Sequence, residues 1–122
     1  MDKFLKEYKW HRFEDAGSVC SNDFKSFARK FKGYLQRNLP SCCSIKGHRC
    51  GHYDLSGFVE RNGKYAYYSW SWNRYSDLDT REGTNPQMAV LYRTATDDKD
   101  FHGGFNHFCS IESLPEKILE VL

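Results

Sequence analysis

Asn62 and Gly63 sit between two runs of alternating apolar and polar residues. Asn-Gly is the strongest short-range mark of a two-residue hairpin, because both residues tolerate the left-handed backbone that such a turn demands. The turn fixes the pairing: Arg61 opposes Lys64, Val59 opposes Ala66, Gly57 opposes Tyr68, Leu55 opposes Trp70, and Tyr53 opposes Trp72. One face of the hairpin is then almost wholly apolar, with the Tyr68 ring over the bare backbone of Gly57. The other face carries Asp54, Ser56, Ser69 and Ser71 around a Phe58–Tyr67 pair. A slip of one residue would send both tryptophans to the polar side, so the register is strongly specified.

The rest of the chain supplies what that face needs for cover. Residues 22–39 read as a helix: Phe24, Phe27, Ala28, Phe31 and Leu35 repeat at i, i+3, i+4 and i+7, and Pro40 ends it. Ser113 to Glu116 has the spacing of a capping box with proline in the first turn, followed by a stripe of Leu114, Ile118, Leu119 and Leu122. Residues 1–20 suggest a short helix or extended arm that packs Phe4, Leu5, Tyr8, Trp10 and Phe13. Residues 74–86 and 96–106 read as polar loops around a strand at 87–95, and a last short strand falls near 107–111. The expected fold is a two-layer α+β domain over residues 1–122. It has an antiparallel sheet of three to five strands, an N-terminal basic amphipathic helix and a short C-terminal helix.

Aromatic residues make up 16% of the 122. Such a content belongs to chains that fold around a core, since disordered segments are poor in rings. No apolar run nears the roughly 20 residues that span a bilayer, and Met1 to Ala16 lacks the apolar centre of a secretory signal. A cytoplasmic protein without membrane contact is expected, with its five cysteines as free thiols or metal ligands. Charge is uneven along the chain: residues 1–50 carry a net +6 and residues 51–122 a net −4. The first part suits an anionic partner.

Four constellations could carry chemistry. Cys42, Cys43, His48, Cys50 and His52 hold zinc-type donors, but at a spacing unlike the usual paired motifs; small apolar packing of the thiols is the simpler reading. A cysteine beside a histidine and an aspartate could make a nucleophile, although no recognised catalytic motif is present. Asp97, Asp98 and Asp100 ahead of Gly103 and Gly104 resemble a calcium loop that lacks its closing glutamate. A tight loop explains the same residues, with the glycines supplying positive φ and the aspartates bonding nearby amides. Finally, Lys25, Arg29, Lys30, Lys32 and Arg37, joined by Lys46 and Arg49, could meet phosphates while exposed rings such as Phe58 and Tyr67 stack on bases.

Two stretches carry a resemblance. One is Gly51, His52, Tyr53, Asp54, Leu55, Ser56, Gly57 and Phe58, followed by the strand from Lys64 to Ser69. The other is Leu91, Tyr92, Arg93, Thr94 and Ala95 with Asp100, Gly103, Gly104 and Asn106. Together they resemble a family of small proteins encoded on phages, plasmids and conjugative elements of Gram-positive bacteria. Phe101 and His102 stand where that family carries a tyrosine and a small hydroxyl residue. The resemblance implies an accessory or counter-defence role, anti-CRISPR proteins included. The expected function is a non-enzymatic inhibitor of a host defence nuclease that acts by surface occlusion, its partner a protein or ribonucleoprotein. Its expected contacts are Arg74, Asp77, Asp79, Arg81 and Glu82 in one loop, Asp97, Asp98 and Asp100 in another, and the basic residues of the first long helix. The acidic loops would mimic nucleic-acid phosphates. No cofactor or catalytic residue is expected. The alternatives are a nucleic-acid-binding accessory module using residues 22–39, and a small Cys/His enzyme or zinc protein.

Overall fold

A computed structural model describes residues 2–8, 22–51, 54–71 and 89–122. The elements are α1 (Lys3–Tyr8), α2 (Asn22–Asn38), β1 (Ser44–Cys50), β2 (Asp54–Arg61), β3 (Lys64–Ser71), β4 (Ala89–Ala95), β5 (His107–Ser110) and α3 (Leu114–Val121). The five strands form one antiparallel sheet in the order β1-β2-β3-β4-β5. Each strand pairs with its chain neighbour, which keeps every connection local.

The hairpin takes the expected register. Val59 pairs with Ala66, Gly57 with Tyr68 and Leu55 with Trp70. Asn62 and Gly63 both adopt positive φ, at 54° and 80°. The Gly63 amide donates to Glu60 Oε1 at 3.0 Å. The Tyr53–Trp72 pair lies outside the described residues, as do Trp10, Phe13, Cys20 and the loop 74–86.

The apolar face meets the helices as its pattern requires. Trp70 is fully buried against Phe24 and Phe27 of α2, with ring centroids 5.5 and 5.1 Å apart. Phe4 of α1 extends the ring cluster to Phe27 and Tyr34. On the far side, Leu114 and Ile118 of α3 are fully buried in the same core. The Tyr34 hydroxyl faces two carbonyl oxygens, Ile111 at 3.1 Å and Glu112 at 3.0 Å, so α2 is tied to the turn that starts α3.

One local expectation fails. Ser113 makes no side-chain cap bond, because it already has helical φ and ψ of −85° and −10°. The chain enters α3 through a hydrogen-bonded turn, and the Ser113 amide donates to the carbonyl and hydroxyl of Ser110, each at 3.2 Å. Strand β1 carries an irregularity between Lys46 and Arg49, centred on Gly47 with φ of 59°. Lys46 pairs with Phe58 and Arg49 with Ser56. These two partners are two residues apart and share a face, so Lys46 and Arg49 both lie on the face away from the helices.

Candidate interaction surfaces

The β4–β5 connection, residues 96–106, is a strap laid across the sheet face opposite the helices. Arg93 anchors it. That residue is only 2% exposed, and its guanidinium lies 4.4 Å from the centre of the Tyr67 ring. It donates to the carbonyl of Asp100 at 2.6 Å and to that of Thr94 at 3.0 Å, with the Asp100 carboxylate 3.8 Å away. Asp100 in turn accepts from the Thr96 amide at 3.0 Å, the Gly103 amide at 2.8 Å and the His102 amide at 3.3 Å. These bonds, led by the one from Thr96, hold its carboxyl below the usual range although desolvation acts against them. Phe101 then seats against Phe58 and Tyr67 at 5.4 and 6.0 Å, and the Arg49 guanidinium lies 4.9 Å from the centre of its ring.

Asp100 is therefore an internal clasp, as the tight-loop reading expected, and its carboxylate is taken up by the loop where the other reading had it meet a partner. Asp97 turns back onto the Lys99 amide at 2.8 Å, while Asp98 is exposed. Gly104 has the expected positive φ, 74°, but Gly103 does not; it is glycine because a β-carbon there would lie 2.5 Å from Asp100 Oδ2. Phe58 is fully buried under the strap, so it is unavailable for base stacking, and Tyr67 is half-buried.

The cations of α2 divide between two sides of the helix. Lys30 and Arg37 face α1, where they meet Glu7 at 2.8 Å and Asp2 at 3.1 Å. The bond to Glu7 raises the Lys30 pKa. At Asp2 partial burial acts upward, but the bond from Arg37, with help from the Phe4 amide, leaves the carboxyl below its usual value. Lys25, Arg29 and Lys32 fall at i, i+4 and i+7 and share the other side. None of these three pairs with a carboxylate among the described residues; Arg29 has only Ser26 Oγ at 3.4 Å. Arg74, Asp77, Asp79, Arg81 and Glu82 lie outside the described residues.

Of the thiol and imidazole candidates, His48, Cys43 and Cys109 are drawn at least partly into the scaffold, while Cys42 and Cys50 are exposed. His48 Nε2 lies 2.9 Å from the Ala28 carbonyl, which can only accept, so this nitrogen carries the proton. Nδ1 then accepts from the Tyr68 hydroxyl at 2.6 Å. Burial lowers the His48 pKa, and the Lys32 charge adds to it. Burial pushes the Cys109 thiol up to about 12 and also raises Cys43, which works against thiolate formation. Among the described residues no three His, Cys, Asp or Glu side chains are grouped to hold a metal. His52 lies outside them.

The sequence reading missed two features as candidate surfaces. Phe105 is 86% exposed, and Phe101 and Phe108 are about two-fifths exposed at 39% and 42%. The available signal was a phenylalanine directly after two glycines, where no strand alternation demands a buried ring. The second feature is an open groove of about 500 Å³ between α2 and α3, lined by Tyr34, Asn38, Leu119 and the carboxylates Glu112, Glu116 and Glu120. Among the described residues no helix is long and apolar enough to cross a membrane. Comparisons with known protein families, characterised proteins and solved structures found no match.

Proposed function

We propose that this chain is a non-enzymatic binding protein of a mobile genetic element. It inhibits a host defence nuclease, in the manner of anti-CRISPR proteins, by occluding a surface of the nuclease. The observation that carries this reading is Phe105. It is 86% exposed on a strap whose neighbouring residues are clamped by the Arg93 and Asp100 network. A large ring held out on a rigid support loses little entropy when it enters a pocket, and such aromatic anchors dominate protein interfaces. The resemblance of the Gly51–Phe58 and Leu91–Asn106 stretches to mobile-element accessory proteins supports the class of partner. Support for a role without turnover comes from the scaffold. His48 uses both ring nitrogens in packing, and Cys109 stays protonated at neutral pH.

The test is co-expression with tagged nuclease complexes of bacterial defence systems. The reading expects capture at near one-to-one stoichiometry and loss of nuclease activity at that ratio. Phe105→Ser should abolish both. Turnover of many target equivalents by one molecule of the pure chain would overturn it.

A further inference from the structure

We infer that the side of α2 turned away from α1 is a binding site for the sugar–phosphate backbone of a nucleic acid. This site is distinct from the aromatic strap, and its case does not depend on the reading given above. Lys25, Arg29 and Lys32 form a row with axial steps of about 6 and 4.5 Å. The two cations on the opposite side, Lys30 and Arg37, are neutralised by Glu7 and Asp2. The helix therefore presents three positive charges in a line that no carboxylate among the described residues pairs. The row lies on the β1 side of the molecule: His48 of β1 bonds to Ala28 of α2, and the Lys32 charge is felt at His48. The bulge at Gly47 brings Lys46 and Arg49 together on the outer face of this same strand, which stands first in the sheet order. Lys46 and Arg49 thus add positive charge across the strand from the row, on a face that also carries Asp54 and Glu60 of β2. The carboxylates of Asp2, Glu7, Glu112, Glu116 and Glu120 lie on the α1 and α3 side.

An acidic protein partner fits this edge poorly. Protein interfaces need an apolar core inside their polar rim. The exposed large apolar side chains among the described residues are Phe101, Phe105 and Phe108, all on the strap or β5. The row on α2 has polar neighbours, with Gln36 exposed on the next turn. A surface that offers repeated charge without an apolar anchor matches a regular polyanion held by counterion release. Such contacts position a backbone and read no sequence. RNA and DNA share that chemistry.

The experiment measures binding of the full chain to mixed-sequence single-stranded RNA, single-stranded DNA and duplex DNA across a salt series. Three phosphate contacts predict a slope of log K against log salt of about −2 for single strands and about −3 for duplex, with larger values if Lys46 and Arg49 join. The triple variant K25Q/R29Q/K32Q should lose at least about tenfold in affinity and about 2 in slope. Its thermal midpoint should stay unchanged, since all three residues lie on the helix surface. The variant K30Q/R37Q should bind within about threefold of the parent, because those charges are already paired. If the triple variant melts lower, the three single substitutions replace it, each expected to lower the slope by about 1. The inference is overturned if no strand binds at low salt, or if the triple variant binds like the parent. It is also overturned if polyglutamate of matched charge competes as well as nucleic acid. Absence of nucleic-acid binding by the parent chain with its nuclease capture intact would sink this site alone. Loss of capture in Phe105→Ser with the salt slope intact would bear on the strap alone.

Discussion

The His48 imidazole bridges the two layers of the fold: Nδ1 accepts from the buried Tyr68 hydroxyl of β3 at 2.6 Å, and Nε2 donates to the Ala28 carbonyl of α2 at 2.9 Å. Protonating Nδ1 would remove the acceptor for a hydroxyl proton that has no exposure to water, so the neutral ring is favoured. The folded pKa is accordingly lowered from 6.5 by burial. The unfolded chain then binds more protons below 6.5, and stability must fall as pH drops from there toward the lower folded value, levelling off beneath it. Urea unfolding midpoints measured between pH 8 and pH 5 should show this decline. His48→Gln should lower stability at pH 8 and flatten that part of the profile. An unchanged slope in the variant would remove His48 as its source.

Gly57 has no room for a side chain. A β-carbon there would collide with the Tyr68 hydroxyl and sit 3.1 Å from the His48 Cα. Gly57→Ala should cost about 1–3 kcal/mol by overpacking. Adding Tyr68→Phe should recover part of that loss, because the nearest colliding atom is gone. Chemical denaturation of the single and double variants would read the coupling.

Arg93→Met should loosen the strap more than the sheet. It leaves the carbonyls of Asp100 and Thr94 without their charged donor, at a cost of about 2–3 kcal/mol. Hydrogen exchange should speed up at the amides of Thr96 and Gly103, while the β2–β3 ladder keeps its protection. Equal acceleration in both places would show that the strap and hairpin open together.

Phe105→Ser should leave the unfolding midpoint within about 0.5 kcal/mol of the parent, because the ring packs on almost nothing. A large loss of stability would mean that Phe105 serves the core, and would withdraw it as an anchor.

What could be read before the structure followed the reach of each signal. The Asn62-Gly63 turn and the alternation beside it dictate a register by local chemistry, and every predicted pair within the described residues forms. The phenylalanines of α2 announce a buried stripe in the same way. Charged and special residues were harder, because their partners are distant in the chain. Nothing adjacent to Lys30 or Arg37 reveals that Glu7 and Asp2 will neutralise them. Asp100 was the easier case, since its amide partners Thr96, His102 and Gly103 lie within four residues and the tight-loop reading anticipated such bonds. The closure of the strap explains much of the motif behind the resemblance. Arg93, Asp100, Gly103 and Gly104 are required by the strap, and Gly57 by Tyr68. These residues are therefore accounted for by the packing of this chain itself.

Gly47 sets the phase of β1. With its extra residue, the strand turns a histidine inward toward α2 and keeps the following arginine outward beside Lys46. Were Gly47 to take an ordinary place in the ladder instead of bulging, the alternation beyond it would invert, driving a guanidinium into the layer between sheet and helix and swinging the imidazole out over the strap. A single backbone insertion thus decides which side of the molecule is wet, charged and open to contact, and which is sealed.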